Sequence, residues 1–102
     1  MQIQIIARKV PLTRARAAAM RQALIGRLQR FAGSIAQVRM ELVDGNGRRG
    51  GGDKRCRIRV TLAHGKSFRL DDVRANLWQA VHRAVDKLEA AMHRQLRAAS
   101  AR

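Results

Sequence analysis

Apolar residues along the chain repeat with two periods, and the changes between them mark the elements. Residues 2–10 (QIQIIARKV) alternate, with Ile3 and Ile5 on one face, which predicts a strand. Pro11 has no N–H to give a ladder and closes it. Thr13 is then placed as a helix N-cap. Over residues 14–32, Met20, Leu24, Leu28 and Phe31 form one helical stripe at spacings of four, four and three. Gly33 is the expected stop of this first helix. Between Ile35 and Val43 the period changes to two, so that Val38, Met40 and Leu42 oppose Gln37, Arg39 and Glu41. Cys56, Ile58, Val60 and Leu62 make the next alternating set, opposed by Arg55, Arg57, Arg59 and Thr61. The turn Ala63-His64-Gly65-Lys66 leads into a fourth strand carrying Phe68 and Leu70. Asn76 and Gln79 have the spacing of a capping box. Trp78, Val81, Val85, Leu88, Met92 and Leu96 then predict a long second helix over residues 77–98. The order is β-α-β-β-β-α. Each strand shows one apolar face, so both helices are expected on that side of a four-stranded sheet, an α+β two-layer sandwich.

Length and charge narrow the picture. A chain of 102 residues is sized for one domain, residues 1–102, with enough buried surface for a single two-layer core. Residues 44–54 hold five glycines and no large apolar side chain and are expected to be a flexible hairpin loop; residues 99–102 are a short basic tail. Lys and Arg number 22 against 7 Asp and Glu, a formal charge of +15, and eighteen of the 22 are Arg. Arginine is suited to forked contacts with phosphate, and so large a charge calls for a polyanionic partner. A hydrophobic content of 46% excludes a disordered basic tail. No apolar run reaches the length of a membrane span, and Met1 to Val10 lacks the layout of a signal peptide. A cytoplasmic protein without a membrane partner is expected. Cys56 is the single cysteine, which leaves no intrachain disulfide or cysteine-based zinc site; its place in the core set marks it as buried and inert.

Motifs for catalysis do not hold up. Gly45-x-Gly47-x-x-Gly50 has the letters of a dinucleotide fingerprint, but the following element is a strand, not the helix whose N-terminus would take a pyrophosphate. Gly65-Lys66-Ser67 resembles the end of a P-loop, yet the position five residues before Gly65 is Val60, inside a strand. His82 and His93 share a helix face about 16 Å apart along the axis, too far for one metal. His82 and Asp86 are spaced to pair on the surface. The three serines, Ser34, Ser67 and Ser100, have no acid–base partner nearby in sequence. Neither an enzyme nor a cofactor or metal site is expected.

The cations are patterned. On the second helix Arg83, Lys87, Arg94 and Arg97 all lie within about 40° of Arg83, a stripe about 20 Å long. On the first helix Arg16, Arg27 and Arg30 sit on one flank of the apolar stripe and Arg14 and Arg21 on the other. Arg55, Arg57 and Arg59 line the outer face of the third strand. A solubilising surface is the ordinary reading of such charge, but it normally comes with interspersed Glu, and here only Asp86 and Glu89 accompany the second helix's cations. A polyphosphate-binding surface is favoured, with Lys87, Arg94, Arg83, Arg97, Arg21, Arg27, Arg30, Arg57 and Arg59 as candidate RNA contacts. Aromatic residues are 3% of the chain, and Phe31, Phe68 and Trp78 all fall at core positions. Exposed stacking platforms for single strands are therefore missing, which leaves shape and backbone recognition of structured RNA.

The β-α-β-β-β-α order, the opening Met-Gln-Ile-Gln-Ile, and Asn76-Leu77-Trp78-Gln79-Ala80-Val81 followed by Val85-Asp86-Lys87-Leu88 resemble the bacterial ribosome hibernation-promoting factor and ribosome-associated inhibitor family. The resemblance spans nearly the whole chain. It implies a double-stranded-RNA-binding-domain-like fold that docks on small-subunit rRNA in the mRNA–tRNA channel and blocks translation under stress. Lys87 matches the family's second-helix lysine, and Arg94 falls in its basic C-terminal tract. Asn76 stands where the family has Asp, Trp78 where it has Tyr, His82 where it has Asp, and Ala90-Ala91 where it has Arg-Gln. The chain's end at Arg102 resembles the short type, for which ribosome dimerisation would need a second factor. The alternative is a general basic RNA- or DNA-binding protein with no specific ribosomal site.

Overall fold

The computed structural model describes residues 1–44 and 54–100. The elements run β1 (Gln2–Arg8), α1 (Arg14–Leu28), a 3-10 turn (Gln29–Phe31), β2 (Ile35–Asp44), β3 (Lys54–Leu62), β4 (Ser67–Arg74) and α2 (Leu77–Ser100). The sheet order is β1-β2-β3-β4. β1 runs parallel to β2, as the crossover through α1 requires, and the β2–β3 and β3–β4 pairs are antiparallel. The result is the expected four-stranded α+β two-layer arrangement, with α1 against β1 and α2 across β3 and β4.

The core lies between the layers. Val38, Met40 and Leu42 from β2 and Cys56, Ile58, Val60 and Leu62 from β3 meet Met20, Leu24 and Leu28 of α1 and Ala84, Val85, Leu88 and Met92 of α2. Burying each of the larger side chains contributes roughly 1.5–3 kcal/mol. Phe31 is buried, while Phe68 and Trp78 are partly buried at the edge of the same cluster. Cys56 is fully buried, and burial, followed by the charges of Asp71 and Asp72, pushes its thiol up to about 12.

Both helix starts follow the sequence. The Thr13 hydroxyl accepts from the Arg16 N–H at 3.1 Å, and Asn76 Oδ1 accepts from the Trp78 and Gln79 N–H groups at 2.8 and 3.3 Å. The ends differ. β1 stops at Arg8, two residues short of the expected limit, because Lys9 takes a left-handed φ of 58° and turns the chain ahead of Pro11. α1 gives way after Leu28 to the 3-10 turn, where the N–H of Ser34 donates to the Phe31 carbonyl at 2.8 Å. Gly33 is not left-handed and is not the stop. α2 continues through Ser100 rather than ending at 98, so part of the expected tail is helical. Asp44 and Lys54, expected in the glycine-rich loop, are the last register pair of β2 and β3 and form an ion pair at 2.6 Å. The expected flexible loop between them, residues 45–53, lies outside the described residues, as do residues 101–102.

The β3–β4 turn is a three-residue hairpin. Leu62 N–H donates to the Lys66 carbonyl at 2.7 Å, Gly65 N–H donates to the Leu62 carbonyl at 2.9 Å, and Gly65 supplies the left-handed φ of 101°. Gly65-Lys66-Ser67 is thus a turn between strands and lacks the helix a phosphate loop needs. No helix is long and apolar enough to cross a membrane among the described residues.

Candidate nucleic-acid interface

The cations fall into two classes, those held by the protein's own carboxylates and carbonyls and those left facing solvent. On α2, Leu88, Val85, Ala84 and Met92 turn inward, which sends Arg83, Arg94 and Arg97 outward, all exposed. None of the three has a carboxylate within ion-pair distance among the described residues. Lys87 is different. It leans to the β4 side of the helix, where its Nζ lies 3.1 Å from Asp72 Oδ2 and donates to the Asp71 carbonyl at 2.7 Å.

Asp72 explains the lean. Strand alternation puts it on the same side as Phe68 and Leu70, and its side chain is only 5% exposed. Burial alone would raise its pKa. The hydrogen bond and charge of Lys87, with those of Arg74, outweigh burial and hold the carboxyl below its ordinary value. Lys87 therefore ties α2 to β4, while Arg74, whose Nε lies 3.0 Å from Asp72 Oδ1, holds the carboxylate from its own strand.

The first helix shows the same division. Arg27 reaches across to Asp86 and Glu89 of α2 with hydrogen bonds to both. Burial opposes its charge, but these carboxylates raise its pKa above the ordinary value. Asp86 is thereby taken by Arg27; His82 instead lies beside the Trp78 ring, with centroids 6.3 Å apart, so the expected His82–Asp86 pair does not form. Arg30 sits over the Phe31 ring at 5.5 Å and 3.7 Å from Glu89. Arg21 donates to the Ile3 carbonyl of β1 at 2.6 Å. Arg14 and Arg16 are exposed.

The outer face of the sheet, opposite the helices, carries Arg57 and Arg59 of β3, both exposed. Cross-strand register places Arg57 between Glu41 and Asp71, at 3.8 and 3.9 Å, and Arg8 also pairs with Glu41 at 2.8 Å. Arg59 lies between Arg39 and Arg69. These two flanking arginines were not among the residues singled out by sequence. The signal for one of them was present, because a three-residue hairpin over 63–65 forces Arg59 opposite Arg69.

No group of three or more His, Cys, Asp or Glu side chains that could hold a metal occurs among the described residues. His93 lies edge-on to Phe31, with ring centroids 5.2 Å apart. What the arrangement offers chemically is fixed positive charge on two faces.

Comparison with solved structures and families agrees with this architecture. The fold superimposes on a ribosomal subunit interface protein from Coxiella burnetii with a TM-score of 0.77 at 18% identity, over 93% of this chain and 97% of that one. It also superimposes on the Thermus thermophilus Protein Y N-terminal domain with a TM-score of 0.73 at 28% identity, over 92% and 98% of the two chains. No curated protein matches the chain by sequence. Residues 3–99 match the family described as Sigma 54 modulation protein / S30EA ribosomal protein, and with nearly its whole length covered the chain belongs to that family.

Proposed function

We propose that the chain is a ribosome-associated factor that docks on rRNA of the small subunit in the mRNA–tRNA channel and holds translation inactive, without a catalytic step. Family membership and the likeness to a Protein Y domain and a subunit interface protein support ribosome association. The observation that carries the rRNA contact is the outward row Arg83, Arg94 and Arg97 on α2, a cationic stripe without carboxylate partners among the described residues. Such a stripe is suited to phosphates of a folded RNA, and the lack of exposed aromatic platforms fits recognition by shape and charge.

Co-sedimentation with small subunits at near-physiological salt, in excess tRNA and duplex RNA, tests the reading. Saturation near one copy per subunit, inhibition of translation in vitro, and loss of both in Arg83→Gln/Arg94→Gln/Arg97→Gln are expected. Binding that competitor RNA abolishes, or that never saturates, would make this a general basic RNA-binding protein. Lys87 is left intact in this variant because its charge also neutralises Asp72.

A further inference from the structure

Arg57 and Arg59 are two residues apart on the same face of the same strand, yet their surroundings are opposite in sign. The row through Arg57 runs Glu41, Arg57, Asp71 across β2, β3 and β4 and sets one arginine between two carboxylates. The next row runs Arg39, Arg59, Arg69, with every residue exposed. No carboxylate lies within ion-pair distance of any of the three among the described residues. Together with Glu41, Arg57 and Asp71 of the neighbouring row they line a groove of about 440 Å³ on the open face of the sheet. Like charges directly opposite one another across strands destabilise a sheet. The row therefore works against the fold unless an anion neutralises it.

From this juxtaposition we infer that Arg39, Arg59 and Arg69 form a second RNA-backbone site, separate from the α2 stripe and on the opposite side of the molecule. Its identification as an RNA site rests on the proposed function; the anion site itself rests on the register alone. Strands lie about 4.8 Å apart, so three arginines in a row span about 10 Å. A nucleic-acid strand carries one charge per roughly 3.4 Å of axis, so the row runs along about three such intervals of the backbone. A single carboxylate ligand would meet only one or two of the guanidiniums. The outer face carries no aromatic side chain, since Phe68 turns inward toward the core, so bases find nothing to stack on. The site recognises the backbone. Because the α2 stripe and the sheet row point away from each other, one short duplex does not reach both. The protein bridges two RNA segments.

The test uses an RNA duplex of about 12 base pairs, shorter than the roughly 16 that a double-strand-binding domain spans. Its stoichiometry is measured by sedimentation velocity at near-physiological salt. Wild type is expected to bind two duplexes. Arg39→Gln/Arg59→Gln/Arg69→Gln should bind one, and Arg83→Gln/Arg94→Gln/Arg97→Gln should also bind one. Arg8→Gln, which removes a charge paired with Glu41 outside the row, should still bind two. The one duplex still bound by the Arg83→Gln/Arg94→Gln/Arg97→Gln variant, at the sheet row, should show a salt slope of log K of about three. Thermal melts serve as the folding control, and the sheet variant should melt no lower than wild type. Saturation of wild type at one duplex, or two duplexes retained by the sheet variant, overturns the second site. Failure of wild type to bind small subunits while still taking two duplexes would overturn the ribosomal reading and leave the sheet site standing.

Discussion

Lys87 Nζ lies 3.1 Å from Asp72 Oδ2, joining an exposed helix cation to a carboxylate buried on the apolar face of β4. The lysine side chain is 48% exposed, whereas the aspartate is 5% exposed, so the aspartate depends on the lysine more than the reverse. Removing the lysine leaves a buried charge with Arg74 alone. Lys87→Ala is expected to destabilise the fold by about 1–3 kcal/mol, the range for an unsatisfied buried group or a lost charged hydrogen bond. For a domain of this size that lowers the melting temperature by several degrees. Lys87→Glu should be worse, since it sets a second carboxylate against Asp72. A thermal melt of Lys87→Ala that coincides with wild type would remove the structural role.

The same pair sets a direction for acid stability. Asp72 binds its proton less readily in the folded chain than in the unfolded one. Its contribution is therefore complete above the unfolded value of about 3.9 and is lost as the pH falls through the lower, folded value. Stability is expected to drop below about pH 4. Asp72→Asn should flatten that part of the profile. Denaturant midpoints measured across this window check it, and equal acid slopes for wild type and Asp72→Asn would count against the assignment.

Cys56 offers a separate probe of the core. Buried at register with Leu42 and Asp72, with its thiol pushed up to about 12, it is protonated at neutral pH and shielded. An aromatic disulfide reagent is expected to leave the folded protein unlabelled at pH 8 and to react promptly in denaturant. Rapid labelling in native buffer would show that the β2–β4 core opens locally.

Much of this fold was legible in the sequence because its signals are local. Period-two runs at Val38–Leu42 and Cys56–Leu62 named the buried face residue by residue, and Thr13 and Asn76 marked both helix starts. The ends were harder. Nothing nearby forces Gly33 into a left-handed conformation, so α1 tightened into a 3-10 turn instead, and the left-handed Lys9 cut β1 short. The candidate site was legible as charge but not as availability. Arg27 meets Glu89 from 62 positions away, and Asp72 claims Lys87 from a neighbouring element. Such pairings are set by helix packing and have no signature in spacing. Arg69 was readable from the hairpin length, but Arg39 was hidden for a related reason, since a lone outward arginine on a strand looks ordinary until register places three of them side by side.

That register carries a stability consequence independent of any RNA. Arg59 faces a like charge on both sides, and each such cross-strand pair costs roughly 0.2–1 kcal/mol. Arg59→Thr removes both repulsions and places a β-branched residue at a strand position suited to it. It is expected to stabilise the protein by about 0.5–1.5 kcal/mol at low salt, with the gain shrinking as salt screens the row. Arg57→Thr, by contrast, gives up contacts to Glu41 and Asp71 and should be neutral or slightly destabilising, because exposed pairs contribute about 0–1 kcal/mol. Paired urea titrations at low and high salt separate the two. A variant that gains stability while losing RNA affinity would mark Arg59 as a residue kept for binding at the expense of the fold. If Arg59→Thr is no more stable than Arg57→Thr at low salt, the row is not under electrostatic strain.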